Sequence, residues 1–462
     1  MTPDRTEAEA LFHEGNRLAA AGNAAGAQGC FRLALLLVPD FGEALANLGL
    51  LRERAGAADE AETCYRQAIA CCPRLLQAYL ILGALLLRRK RFDDAETVNR
   101  QSVQLAPEAP AAWSNLGVLL ACTKREAEAE RCYRTALALD GNYAKARFNL
   151  AYILLRQGRL EEGWACLEER EGYARLSAHF TCPRWRGENL AGTSLVIGFE
   201  GGLGDMIQFC RYASVLKGRG AARITVVCHP ALKTLFATLS GADAVLSFED
   251  EVSASDWDFW TPPMSLPHYC NTRLDSIPAP IPYLAPDPAR VARWLSRLPR
   301  LPKSGLRVGL AWKGNAEFEN DADRSLPSLA ALAPLASVAG VRFVSLQKGA
   351  GQDEALCPPP GLALLALGGE LQDFADTAAL IASLDLVISV DTGVAHLAGS
   401  LGKPCWVLLP DYRTDWRWLT QRTDTPWYPQ HMRLFRQGPA GGWAPLIAEV
   451  RAALECWAAV KI

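Results

Sequence analysis

A dominant charge is missing from this chain. Lys and Arg number 48 against 50 Asp and Glu, for a net charge of −2 at pH 7. That balance argues against a nucleic-acid binder working through a generally basic surface and leaves a local basic patch open. Histidine is scarce, six in 462 residues, and no Cys/His spacing has the form of a zinc site. No apolar run reaches the ~18–20 residues of a membrane span. The opening "MTPDRTEAEALFHEGN" lacks the charged-then-apolar order of a secretory signal. Cysteine is plentiful at 14, but it sits where small apolar residues belong, as in "CYRQAIACC" and "CYRTALA". These are expected to be reduced thiols of a cytoplasmic protein. The length and a 50% hydrophobic content allow two or three domains, each with its own core.

The first third repeats. Gly15, Gly49, Gly83 and Gly117 stand 34 residues apart, followed in step by Ala27, Ala61, Ala95 and Ala129. Prolines mark the same period at Pro39, Pro73 and Pro107, and large residues keep phase at Leu48, Leu82, Leu116 and Leu150 and at Phe31, Tyr65 and Tyr133. The pattern resembles the tetratricopeptide repeat, in which small residues let two helices approach and large ones fill the gap. Four repeats are expected at 8–41, 42–75, 76–109 and 110–143, with a degenerate fifth at 144–177. Such a stack leaves a groove free. Asn47, Asn115 and Asn149 share one repeat position, and their amides suit an extended peptide backbone. His13 and Ile81 break that ladder, and the plain alternative is that the asparagines fix helix packing.

Beyond "FTCPRWRGENLAG" the rhythm changes to strand and helix. "TSLVIGFE", "ARITVVCH" and "ADAVLSF" read as strands of one α/β unit. A proline-rich stretch at 277–288 follows, and "LRVGLAWKGN", "VRFVSLQKG", "LDLVISVDTG" and "KPCWVLLP" form a second unit. Ligands of such units sit at the C-terminal ends of the strands.

Two turns stand out. "EGGLGD" is neither a P-loop nor a dinucleotide fingerprint. Its glycines, Gly201, Gly202 and Gly204, shape a tight turn that delivers Asp205 to the start of a helix; a bare capping aspartate is the alternative. In "SVDTGVAH", Asp391, Thr392, Gly393 and His396 stand where a strand hands over to a helix. The first amides of that helix lack intrahelical partners and can hold a diphosphate without a lysine cradle. Gly393 presents no side chain against it. His396, as a neutral donor or an imidazolium, can steady charge on a departing phosphate; a core histidine is the alternative. "DWD" at 256–258 has the letters of a metal-holding Asp-x-Asp but reads better as a turn with Trp257 packed inward. Trp416, Trp418 and Trp427 suit packing more than stacking on a ligand, and Asp411 and Asp415 are weaker site candidates.

In their order and spacing, "GGLGDMIQF", "VGLAWKGN", "FVSLQKG", "LDLVISVDTGVAHLAGSLGKP" and "DWRWL…TPWYP…MRLFRQ" resemble the heptosyltransferase family of glycosyltransferases. The repeat-plus-transferase layout is similar to that of O-GlcNAc transferases. The resemblance implies an all-α tetratricopeptide-repeat solenoid at 1–180 followed by an α/β GT-B fold of two Rossmann-like domains facing a cleft. The acceptor side would be 190–300, the donor side 301–445, and a C-terminal helix at 446–462 would cross back to the first α/β domain. It further implies an inverting, metal-independent transferase that needs no cofactor and uses a nucleotide sugar as co-substrate. Asp205 would be the general base, with Lys313, Asn315, Arg324, Lys348, Asp391, Thr392, Gly393 and His396 around the donor. Arg324 either clamps phosphate or pairs with Asp321 and Asp323. The expected acceptor is a protein held by the repeats, flagellin or another surface protein among bacterial relatives. The alternatives are a lipid-linked or lipopolysaccharide acceptor, and a non-catalytic scaffold.

Overall fold

The computed structural model describes residues 3–170, 176–251, 256–302, 305–439 and 441–461. The chain forms two compact units, Met1–Ile153 and Leu154–Ile462.

The first unit is a stack of short antiparallel helix pairs: Pro3–Ala20 with Ala24–Leu37, Gly42–Arg54 with Ala58–Cys71, Leu76–Arg88 with Phe92–Leu105, and Pro110–Cys122 with Glu126–Leu139. The periodic glycines have a steric cause. A Cβ on Gly49 would lie 2.4 Å from the Tyr65 ring, and one on Gly15 or Gly117 would lie 2.5 Å from Phe31 or Tyr133, so the paired helices close to a distance that only glycine permits. In the third repeat Asn99 takes the aromatic position and presses on Gly83. Successive repeats are also laced together by charge: Arg91 reaches back to Glu62 at 2.7 Å, and Arg125 to Glu96 at 2.8 Å, one period on.

The fifth repeat divides between the units. Its first helix, Ala144–Arg156, contains the unit boundary, and its second, Leu160–Leu167, belongs to the second unit. Trp164 explains why. Its ring is fully buried edge-on to Trp416 (5.2 Å) and Trp427 (6.3 Å), and its indole N–H donates to the Thr272 carbonyl at 3.2 Å. The first compact unit therefore ends at Ile153, inside the fifth repeat. Residues 171–175 of that fifth repeat lie outside the described residues.

The second unit contains two parallel sheets. One has the order β3-β2-β1-β4, from β1 (Ser194–Ile197), β2 (Arg223–Cys228), β3 (Ala244–Ser247) and β4 (Phe259–Thr261). The other runs β10-β9-β8-β5-β6-β7, from β5 (Leu306–Ala311), β6 (Val341–Ser345), β7 (Leu364–Leu365), β8 (Leu386–Val390), β9 (Cys405–Leu409) and β10 (Met432–Arg436). Counted within itself, the second sheet is ordered 3-2-1-4-5-6 from its far edge, and the first repeats the 3-2-1-4 half. This is the doubly wound arrangement, whose strand order reverses between β1 and β4 and between β5 and β8. The inner strands are near-continuous apolar runs because both faces are covered; β8 and β9 are buried at every position. The result is a repeat stack followed by a bilobed, GT-B-like α/β architecture.

One expectation changes. The helix Trp443–Lys461 does not cross back: Ile447, Val450 and Leu454 are buried with Val308, Leu310, Ile388 and Leu408 in the second sheet's own core. The proline-rich stretch is anchored at Tyr283. The Tyr283 amide donates to the Ser400 carbonyl at 3.1 Å and its hydroxyl to the Ile207 carbonyl at 2.9 Å, which pins the crossing between the sheets to helices of both. Among the described residues no helix is long and apolar enough to cross a membrane.

Candidate active site

Both switch points deliver a loop and a helix to one place. After β1 comes the glycine turn and the helix Leu203–Phe209; after β8 comes Asp391-Thr392 and the helix Gly393–Ser400. The helices meet at their first turns. A Cβ on Gly204 would lie 2.9 Å from Cδ2 of His396 and 3.5 Å from Cα of Gly393. The two turns singled out in the sequence, 187 residues apart along the chain from Gly204 to Asp391, are therefore in van der Waals contact.

Asp205 has two duties. One carboxylate oxygen accepts the Gly202 amide at 2.7 Å and closes the first turn of its helix. The other accepts from the Arg417 guanidinium. Gly201 sits at φ +74°, where a Cβ would lie 2.5 Å from that carboxylate, so the turn can only be glycine. The capping contact and the Arg417 contact thus use different oxygens of one side chain.

Arg417 is the residue that sequence reasoning missed. Its side chain is 8% exposed and donates to Asp205, to Gln208 Oε1 at 2.6 Å, and to both oxygens of Asp415 at 3.0 Å. The guanidinium lies 4.3 Å over the Trp416 ring. The available signal was an arginine between two tryptophans in "DWRW".

His396 is 5% exposed, stacked on Trp418 (5.3 Å, 22°), with Nδ1 2.9 Å from the Tyr428 hydroxyl. Burial, then the positive charges of Arg417, Arg211 and Arg324, push its pKa well below the usual value. Of the two protonation states considered from sequence, the neutral ring is the one present near neutral pH. Its partner is the Tyr428 hydroxyl.

Asp391 is pushed up to about 6, first by burial and then by the neighbouring Asp415 carboxylate, against the pull of Trp418, Arg324 and Arg417. The buried Trp418 N–H has no hydrogen-bond partner of good geometry, yet it lies near enough to Asp391 to favour the ionised form. A group with a raised folded pKa contributes stability fully present below its unfolded value of 3.8 and lost as pH rises through about 6. Asp391→Asn should therefore stabilise the chain by ~1–2 kcal/mol at pH 8 and by almost nothing at pH 4. Thermal unfolding across that range checks it; an unchanging difference would mean that Asp391 is ionised throughout.

The remaining candidate residues are tied down. Arg324 donates to Asp321 at 3.1 Å and stacks 4.4 Å over Phe318, the pairing alternative considered for it. Lys313 pairs with Glu354 at 3.1 Å, Lys348 donates to the Leu371 carbonyl, and Asn315 is exposed and accepts the Glu317 amide at 3.1 Å. Thr392 caps its helix through the backbone, and its hydroxyl lies 3.2 Å from that of Ser389. "DWD" is the entry to β4: Trp257 is buried and Asp258 accepts the Ser194 amide and hydroxyl, at 2.7 and 2.8 Å. Among the described residues no three His, Cys, Asp or Glu side chains gather as a metal site.

In the repeat unit, Asn47 donates to Asn16 at 2.7 Å and Asn115 to the Leu80 carbonyl at 3.3 Å. Both amides therefore join neighbouring helices, the packing alternative. Asn149 is partly buried.

The comparisons agree with this division. Residues 335–408 match the model of glycosyltransferase family 9 (heptosyltransferase), and residues 12–75, 110–143 and 132–165 match tetratricopeptide-repeat models. The chain thus joins a repeat region to a heptosyltransferase-like α/β unit. It is similar to Protein FlbA of Caulobacter vibrioides, 30% identical over 345 residues that cover 68% of this chain and 56% of that protein; it spans little more than half the length of this curated relative. Among solved structures it is similar to pilF of Pseudomonas aeruginosa (22% identity, 36% of this chain and 78% of that one, TM-score 0.35). Another is a thermophilic TPR protein in Thermus thermophilus (25% identity, 37% and 95%, TM-score 0.33). The family 9 match contains Lys348, Asp391 and His396, while Asp205, Lys313 and Arg417 lie outside it.

Proposed function

We propose that the α/β unit transfers a sugar from a nucleotide-sugar donor to an acceptor hydroxyl. The observation that carries the reading is the meeting, at Gly204, of the turn that bears Asp205 with the Asp391–His396 turn at the switch points of two doubly wound sheets. In this reading residues 301–445 hold the donor, its phosphates on the first amides of the Gly393–Ser400 helix, with Lys313, Asn315, Arg324 and Lys348 around it. Residues 190–300 bring the acceptor. The acceptor oxygen attacks the anomeric carbon, its proton passes to Asp205, and the anomeric C–O bond breaks with its electron pair leaving on the nucleotide phosphate. Inversion at the anomeric carbon follows from that single displacement. Neutral His396 holds the two helices in register, and amides and cations stabilise the leaving phosphate where a metal otherwise would.

The heptosyltransferase description of the matched family supports a lipid-linked or lipopolysaccharide saccharide as acceptor. A protein acceptor held by the repeats is the second reading, favoured by the regular repeat stack; the amides of Asn47 and Asn115, already bonded, weigh against it.

Thermal stabilisation of the full chain against UDP, GDP, ADP, CMP and their sugars, with and without EDTA, tests the donor site. One nucleotide should raise the midpoint irrespective of EDTA, since binding stabilises by mass action. A flat panel would leave a non-catalytic scaffold. For the acceptor, Asn47, Asn115 and Asn149 replaced together by Ala should leave transfer to a lipid-linked saccharide unchanged. A selective loss with a protein acceptor would favour the second reading.

A further inference from the structure

The cations proposed for the donor side, and Arg417 with them, are each matched within the chain: Lys313 by Glu354, Lys348 by the Leu371 carbonyl, Arg324 by Asp321, and Arg417 by Asp205 and Asp415. The first three find those partners in the same sheet unit. Arg417 differs. It follows β9 in the second sheet's half of the chain, yet it binds Asp205 and Gln208 on the helix after β1. It thus joins the expected base to the expected donor pocket, with its charge acting on both Asp391 and His396.

An arginine held by two carboxylates has fewer N–H groups to offer a phosphate, and the Asp205 oxygen that would take a proton is occupied by the Arg417 guanidinium. Both groups are blocked by one bond. We propose that Arg417 is an exchangeable counter-ion: an incoming nucleotide phosphate draws its guanidinium away from Asp205, and this exchange frees Asp205 to take the acceptor's proton. The inference rests on the proposed transfer reaction and adds an order to it, with donor binding first and the base released second. Gln208 and Asp415 hold the arm of Arg417 throughout, so the movement is a change of partner at one guanidinium nitrogen. No covalent bond is made or broken in the exchange. In the transfer that follows, the proton goes from the acceptor hydroxyl to Asp205 and the electron pair of the broken C–O bond to the nucleotide.

Exchange has a thermodynamic signature. The Asp205 pairing acts as a competing state and lowers apparent nucleotide affinity by the fraction of time Arg417 is engaged. Removing the competitor must tighten binding, which a purely structural salt bridge would not do. Calorimetric titration of the full chain with the nucleotide that stabilises the wild type measures this. Asp205→Asn should bind that nucleotide about 3- to 10-fold more tightly, and Arg417→Ala at least ~10-fold more weakly. The double variant should match Arg417→Ala alone, because Asp205 then has nothing to release. Arg417→Lys keeps the charge and should bind within a few-fold of wild type, which separates loss of the cation from loss of the fold. If the wild type binds and the two single effects simply add, or if Asp205→Asn binds no more tightly, the exchange is wrong while the donor site stands. If the wild type binds none of the nucleotides, the transfer reading falls and the exchange falls with it.

Discussion

Asp205→Asn should cost sugar transfer about 10²- to 10⁴-fold, the range for loss of a positioned general base, and leave the fold almost untouched. Asparagine matches aspartate in shape, so its amide oxygen can still accept the Gly202 amide that closes the turn. Arg417 keeps Asp415 and Gln208 as partners. What disappears is the ability to hold the acceptor's proton. The loss in stability should stay within ~1 kcal/mol, since Asp205 is partly exposed and its pairing is screened. Asp205→Ala is the less informative variant, because it also removes the turn-closing acceptor. Initial rates with the identified donor, set beside thermal unfolding, give the answer. A fall in rate below tenfold would show that the proton goes elsewhere. A large loss of stability would return Asp205 to a capping role.

The repeat stack and the two sheets were legible because each writes its geometry into the chain at short range. A 34-residue period of glycine and aromatic is a local steric pattern, and Gly49 against Tyr65 shows the contact behind it. A buried parallel strand such as β8 is a run of apolar residues wherever it falls. The shorter strands were harder. β4 has three residues behind "DWD", β7 has two, and β10 is interrupted by Arg433 and ends on Arg436, so none forms a clear apolar run. The destination of the C-terminal helix was not legible either, because an amphipathic helix states that it will be buried without stating against which sheet. Among the candidate residues, Asp205, Asp391 and His396 stood out through the turns that carry them. Arg417 did not, because its meaning lies in a residue 212 positions away, and no local pattern encodes an ion pair across two sheets. His396 was ambiguous for a related reason: its neutral state follows from burial and three distant arginines.

Arg211→Met should destabilise the α/β unit by about 3–5 kcal/mol, more than a surface substitution reaches. Arg211 is 1% exposed. Its guanidinium donates to the Trp427 carbonyl at 2.7 Å, the Pro278 carbonyl at 3.2 Å, the Gln208 carbonyl at 2.8 Å and the Tyr283 hydroxyl at 3.0 Å. It also lies 4.7 and 4.8 Å over the rings of Tyr283 and Tyr428. Methionine fills much of the volume but leaves these acceptors unpaired in the interior, where each costs ~1–3 kcal/mol and the costs do not simply add. Lysine should recover only part of the loss, because a single ammonium cannot reach carbonyls spread around a planar fork. The same side chain ties the helix after the glycine turn to the Trp427–Tyr428 segment, and Tyr428 in turn meets His396. The damage should therefore reach the site: nucleotide affinity should fall along with stability. Denaturant unfolding of the wild type, Arg211→Met and Arg211→Lys, each with and without nucleotide, measures both. A loss under ~1 kcal/mol for methionine would mean that Arg211 only fills space. A full loss with unchanged nucleotide affinity would mean that the anchor and the donor site are independent.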